Sequence, residues 1–124
     1  MPRPGRTLTP QELEIMKLVW ERGRATVRDV YEALLAKRRI AYTTVMTMMN
    51  VLERKGFLRK HAEGRSFLYE PSRPRRQVVG AMLRDFLDRV FGGSPEPLLL
   101  HLVEDRHLTV EELDALARRI RAKR

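Results

Sequence analysis

The chain has 124 residues, the length of one domain or of one domain with a small appendage. It carries 25 Lys and Arg against 16 Asp and Glu, a net charge of +9, and 43% of its residues are hydrophobic, which excludes general disorder. It has no cysteine, which removes disulfide scaffolds, cysteine-ligated zinc, iron–sulfur clusters and thiol catalysis.

The first helix is predicted at Pro10–Arg22. Thr9 is its N-cap, Glu12 completes a capping box, Pro10 takes the first helical position and Gly23 stops it. Leu13, Met16, Val19 and Trp20 share one face. A second helix starts after Thr26, with Asp29 in the capping-box position and Val27, Val30, Tyr31, Leu34 and Leu35 as its apolar stripe. Lys37, Arg38 and Arg39 close it, placing cations at the negative end of the helix dipole. A third covers residues 42–55 and stops at Gly56. Its core face is Val45, Met48, Met49 and Leu52, spaced i, i+3, i+4, i+7.

After Gly56 the period changes. Residues 57–61 and 65–69 read as a β-hairpin with its turn over Ala62, Glu63 and Gly64. Pro71 and Pro74, with Arg73, Arg75 and Arg76, mark a boundary. The remainder is helical. Residues 77–91 carry Val78, Val79, Met82, Leu83, Phe86, Leu87, Val90 and Phe91, and the run Gly92, Gly93, Ser94, Pro95 stops them. A short helix over 96–104 holds Leu98, Leu99, Leu100, Leu102 and Val103. The last helix, Val110–Ala122, opens on a further capping box, Thr109 with Glu112, and carries Leu113, Leu116, Ala117 and Ile120.

Charge divides the chain in the same place. Residues 1–76 hold 17 Lys and Arg against 8 Asp and Glu, a net +9, whereas residues 77–124 hold 8 of each. Such asymmetry points to a polyanion-binding half and a half with another task. The expected fold class is mainly α with a small β-hairpin. A winged helix-turn-helix DNA-binding domain spans residues 7–72, and a three-helix dimerisation domain spans 75–124. The third helix is then the recognition helix. Tyr42, Thr43, Thr44, Met46, Thr47, Asn50 and Arg54 lie on its outward side, where short polar side chains suit base edges. Lys60, His61 and Arg65 fall near the tip of the hairpin, the wing, and Arg28 and Arg38 (with Arg39) flank the recognition helix; all are expected on phosphates or in the minor groove. Lys55 and Arg59 are further candidates. The C-terminal segment is too short for its own core. A second copy is expected to cover Val79, Met82, Leu83, Phe86, Leu87, Val90, Leu99, Leu102, Leu116 and Ile120.

The residues also resemble a known family. Leu13-Glu14-Ile15-Met16 with Val19-Trp20, then Thr26-Val27-Arg28-Asp29-Val30, Ala41-Tyr42-Thr43-Thr44-Val45-Met46-Thr47, Leu52-Glu53-Arg54-Lys55-Gly56-Phe57-Leu58, and Glu63-Gly64-Arg65 leading to Tyr69 are similar to the BlaI/MecI repressors, a family that includes the copper-responsive CopY proteins. The resemblance covers nearly the whole chain. It implies a homodimeric repressor whose winged helix binds a palindromic double-stranded DNA operator. It also implies a partner in induction, a membrane sensor protease or a factor downstream of it, acting on the C-terminal helices. Three departures stand out. Met46 and Val51 occupy places where family members often carry basic residues. The pair corresponding to the cleaved Asn-Phe bond of antibiotic-responsive members is His101-Leu102, the candidate cleavage region. The cysteines of the copper-responsive members are missing.

No enzymatic activity, cofactor or metal is expected. His61, His101 and His107 lie far apart and form no HxxxH or HExxH pattern, and Ser66, Ser72 and Ser94 have no catalytic motif around them. His101 reads as an interface residue within an apolar helix. No apolar run is long enough to span a bilayer, and residues 1–6 lead into no hydrophobic run of a secretory signal, so a cytoplasmic protein without membrane insertion is expected. Two other function classes compete. A basic RNA-binding protein would need stacking aromatics, and the 1 Trp, 3 Tyr and 4 Phe fall mostly on core stripes. A ligand-sensing winged-helix regulator of the MarR type would need a pocket that no motif marks.

Overall fold

The computed structural model describes residues 7–123; the basic residues 1–6, on which the reading about a secretory signal rests, and Arg124 lie outside it. The element order is α1 (Pro10–Arg22), α2 (Val27–Leu35), α3 (Tyr42–Arg54), β1 (Leu58–Glu63), β2 (Ser66–Pro71), α4 (Arg75–Phe91), α5 (Pro95–Glu104) and α6 (Val110–Ala122). This is the expected class, mainly helical with one antiparallel hairpin.

The helix starts follow local chemistry. Thr9, Thr26 and Thr109 each accept a hydrogen bond from the backbone N–H three residues on, and the carboxylates of Glu12, Asp29 and Glu112 accept the backbone N–H of the cap residue. The second helix is shorter than its sequence suggests: it ends at Leu35, so Lys37, Arg38 and Arg39 follow the helix rather than close it. The hairpin turn is also shorter and later than expected, two residues (64–65) in place of three (62–64). Glu63 pairs with Ser66, which leaves Gly64 and Arg65 as a two-residue loop. Gly64 has φ 62° and Arg65 has no positive φ, the pattern of a type II′ turn. Arg65 therefore stands at the tip itself.

By packing, the chain divides into two units between Met82 and Leu83, inside α4. The first unit has one core. Ile15, Met16 and Val19 of α1, Val27, Val30 and Leu34 of α2, and Val45, Met49 and Leu52 of α3 meet Phe57, Leu58 and Tyr69 of the hairpin region. Met48 is only half-buried at the edge of this core. The backbone of Tyr69 pairs with Ala25 through N–H···O bonds of 2.8 and 2.9 Å, so the loop between α1 and α2 adds a one-residue third strand to the hairpin. The segment beyond the wing belongs here too. Trp20 Nε1 donates to the carbonyl of Arg73 at 3.0 Å, the Arg73 guanidinium lies 5.0 Å from the centre of the Phe57 ring, and Val78 is 6% exposed.

The second unit, from Leu83, contains the rest of α4, α5 and α6. None of its described residues is buried. Leu83, Phe86, Val90, Leu99, Leu100, Val110, Leu116 and Ile120 are all exposed apolar side chains. Within α4, Phe86 and Phe91 meet edge to face at 5.8 Å, and Ser94 is the N-cap of α5 without a side-chain cap bond.

Candidate nucleic-acid interface

α3 is amphipathic by position alone. Val45, Met49 and Leu52 are wholly buried, and the intervening Tyr42, Thr43, Thr44, Met46, Thr47 and Arg54 are exposed. Six of the seven residues assigned to its outward side therefore do face solvent. They form an uncharged surface ending in one cation, Arg54. The start of this helix differs from those of α1 and α2, because Ala41 at its N-cap offers no side-chain acceptor. The Thr44 N–H turns back to the Ala41 carbonyl at 3.1 Å, which leaves the N–H groups of Tyr42 and Thr43 for another acceptor. Tyr42 is held by an edge-to-face contact with Tyr31 of α2, with ring centres 5.3 Å apart.

Asn50 is the exception. It is half-buried, and its Oδ1 accepts hydrogen bonds from Tyr69 Oη at 2.8 Å and Lys60 Nζ at 3.0 Å. The sequence assigned it to reading bases with a free amide; the structure ties its oxygen to the hairpin. At about 100° per residue, position 50 sits next to Met49 at the margin of the buried face rather than opposite it, where Lys60 of β1 and Tyr69 of β2 reach its side chain.

The cations fall into two groups. Arg65 makes no ion pair among the described residues and sits at the wing tip. Arg39 and Arg54 likewise make no ion pair or side-chain hydrogen bond among the described residues, and the remaining candidates have partners. Lys60 lies three residue pairs below the tip, against Asn50 and 4.8 Å above the Phe67 ring. His61 and Arg59 both lie 3.6 Å from the Glu70 carboxylate on the opposite face of the hairpin. Arg28 pairs with Glu32 at 3.3 Å on an exposed helix surface, an interaction too weak to hold it from a stronger anion. Arg38 is hydrogen-bonded to Glu14 across α1. Lys55 is not free for phosphate: its ammonium binds Glu12, which sequence periodicity alone does not reveal. Sequence reading also missed Phe67, an exposed aromatic on the wing beside Lys60. Its position in a β-strand alternation was the available signal, but aromatic residues were assigned to the core.

Of the residues expected to lie between two copies, Val79, Leu83, Phe86, Val90, Leu99, Leu116 and Ile120 are exposed, and Leu87 and Leu102 are half-buried. Met82 is half-buried and packs in part against the core of the first unit. His101 is exposed on α5, with Nε2 3.0 Å from Asp105 Oδ2. Among the described residues no cluster of three or more His, Asp or Glu is placed to hold a metal, and no helix is long and apolar enough to cross a membrane.

Three packed helices, a paired wing, and an uncharged recognition surface flanked by cations define a winged-helix transcriptional regulator. Residues 8–122 match the penicillinase repressor family, and the chain belongs to that family, whose members are transcriptional repressors and not enzymes. It is 37% identical over 109 residues to the transcriptional regulator BlaI of Mycobacterium tuberculosis, covering 86% of this chain and 78% of that one. The chain is similar to the solution structure of the DNA-binding domain of the repressor BlaI, at 30% identity and a TM-score of 0.53, over 60% of this chain and 90% of that one. It is also similar to monomeric Bacillus licheniformis BlaI in complex with the blaP half-operator, at 31% identity and a TM-score of 0.50, over 56% and 85% of the two chains.

Proposed function

We propose that this protein is a cytoplasmic homodimeric repressor that places α3 in the major groove of a palindromic operator. Thr43, Thr44, Met46 and Thr47 meet base edges, Tyr42 and the uncapped start of α3 meet a phosphate, and Arg54 follows the backbone. Arg65 at the wing tip reaches the flanking phosphates or the minor groove, and Arg28 and Arg38 exchange weak protein partners for phosphates on binding. The observation that carries this reading is the face of α3: one helix side is wholly buried, and the other offers threonines where a solvated helix surface would carry Glu and Lys. The half-operator complex of the Bacillus licheniformis relative supports it.

The second copy follows from the second unit, in which no described residue is buried while eight large apolar side chains are exposed. Such a surface is stabilised by self-association, and two-fold symmetry fits a palindrome. Induction acts on these helices, with the exposed α5 around His101 and Leu102 as the point of attack for a sensor protease or its downstream factor.

Selection from random duplex DNA, followed by sequencing, tests the proposal. An inverted repeat should be recovered, and Phe86→Asp should abolish the repeat while leaving a single half-site. Recovery of sequence-independent DNA, or of RNA in preference to DNA at equal salt, would contradict it.

A further inference from the structure

Asn50 grips the hairpin at one register position from both strands. Its Oδ1 accepts from Tyr69 Oη and from Lys60 Nζ, and Lys60 and Tyr69 are cross-strand partners. One of these donors is a fixed point. Tyr69 is 2% exposed, and its backbone N–H and C=O are both bonded to Ala25, itself fully buried. The other donor is steadied by the Phe67 ring, over which the Lys60 ammonium sits at 4.8 Å. Beyond this point the wing has little to hold it. β1 is exposed from Arg59 to Glu63, and Ser66 and Phe67 of β2 are exposed as well. Among the described residues, the Asn50 bonds are the tie nearest the tip that joins the hairpin to a helix. The tip lies three residue pairs further on, about 10 Å of strand.

We propose that Asn50 is a positioning residue: it fixes the wing against the recognition helix and thereby sets where Arg65 meets the DNA backbone. This rests on the reading that α3 and the wing engage one duplex. An anchored oxygen receiving one neutral and one cationic donor resists rotation of the hairpin about its root, because any tilt lengthens one of the two bonds. The wing arrives at DNA already aimed, so its ordering is not deducted from the binding free energy. Asn50 acts through Tyr69 and Lys60, not by touching a base.

The full chain tests this in a double-mutant cycle with Arg65, a residue that has no hydrogen bond or ion pair with Asn50. Operator affinity is measured against salt for the parent, Arg65→Ala, Asn50→Ala and the double variant. In the parent, Arg65→Ala should lower the salt slope by about one unit. In the Asn50→Ala background the same change should alter affinity by less than about twofold, because the tip no longer reaches its phosphate. Tyr69→Phe, which keeps the buried ring and removes only the hydroxyl donor, should reproduce the Asn50→Ala loss and keeps the test intact if Asn50→Ala fails to fold. Amide order parameters at Gly64 and Arg65 in the free protein should fall in both variants. An equal Arg65→Ala effect in both backgrounds overturns the proposal. So does an Asn50→Ala defect confined to one base pair, which would make Asn50 a base reader. If Arg65→Ala has no effect in the parent, the DNA-interface reading fails instead, and the order parameters decide the positioning role: unchanged values refute it, reduced values sustain it.

Discussion

Lys55, just past the end of α3, reaches back to Glu12 in the first turn of α1, with Nζ 2.9 Å from each carboxylate oxygen. Glu12 is 5% exposed and also accepts the N–H of Thr9 at 2.8 Å, so one side chain caps α1 and ties it to the recognition helix. Lys55 additionally donates to the carbonyl of Thr7 at 3.3 Å. The recognition helix is thus held at its far end by a nearly buried ion pair and at Asn50 by the wing.

That pair has a pH signature. Burial by itself would raise the Glu12 pKa, but the Lys55 ammonium and the Thr9 amide hold the carboxyl below its ordinary 4.5. A depressed folded value means stability that is fully present above about 4.5 and is lost as pH falls through the folded pKa. Glu12→Gln should flatten the acid limb of a stability-versus-pH curve. At neutral pH it should cost about 1–3 kcal/mol, because Lys55 loses its partner in a mostly buried site. Parallel acid limbs for parent and variant in urea titrations would show that Glu12 is not a determinant.

The threonines of α3 should separate specificity from stability. Thr47→Ala and Thr44→Ala should each cost roughly 1–3 kcal/mol on the cognate site and little on random duplex, with folding stability within about 0.5 kcal/mol of the parent. Met49→Ala, which empties a fully buried position, should instead cost about 2–5 kcal/mol of stability. Titrations on both DNAs beside urea unfolding check this; uniform losses on both DNAs would make the threonines phosphate contacts.

The parts of this fold that could be read in the sequence are those fixed by neighbours in the chain. Thr9, Thr26 and Thr109 announce their helices because a cap and its partner are three residues apart, and the buried face of α3 follows from its period. The hairpin turn falls at 64–65 rather than 62–64 because Gly64 can sit either at the end of a loop or at its first position, and only pairing of Glu63 with Ser66 decides. The Ala25–Tyr69 bridge, the Glu12–Lys55 pair and the Asn50 bonds join residues distant in sequence, and no local pattern encodes them. The candidate site was legible as a set of exposed positions on α3. It was not legible which cations already had partners.

The boundary between the units was misleading for the same reason. Pro71 and Pro74 look like a domain end, yet Val78 is buried in the first unit and Met82 packs on it. A fragment ending after Met82 should therefore be more stable than one ending at Arg76, by about 1.5–3 kcal/mol for the Val78 side chain alone. Thermal unfolding of the two fragments checks this. Equal stabilities would mean that the start of α4 adds nothing to the first core.

Arg106 offers a test in the second unit. It sits between α5 and α6 with φ 62°, a left-handed conformation that favours glycine. Arg106→Gly should stabilise the protein by roughly 0.5–1 kcal/mol in urea unfolding at fixed protomer concentration. A loss would show that the arginine side chain contributes more than its backbone strain costs.

The central claim is that two copies, joined through the C-terminal helices, present two α3 helices to two half-sites of one operator. Operator affinity measured while the spacing between half-sites is changed tests it most directly. Inserting about 5 bp, half a helical turn, at the centre of the recovered palindrome turns the second half-site to the far side of the duplex. The account predicts that affinity then falls to that of a single half-site, and that Phe86→Asp, already unable to pair, is insensitive to the insertion. Equal affinity for the original and the expanded palindrome by the parent protein would contradict it.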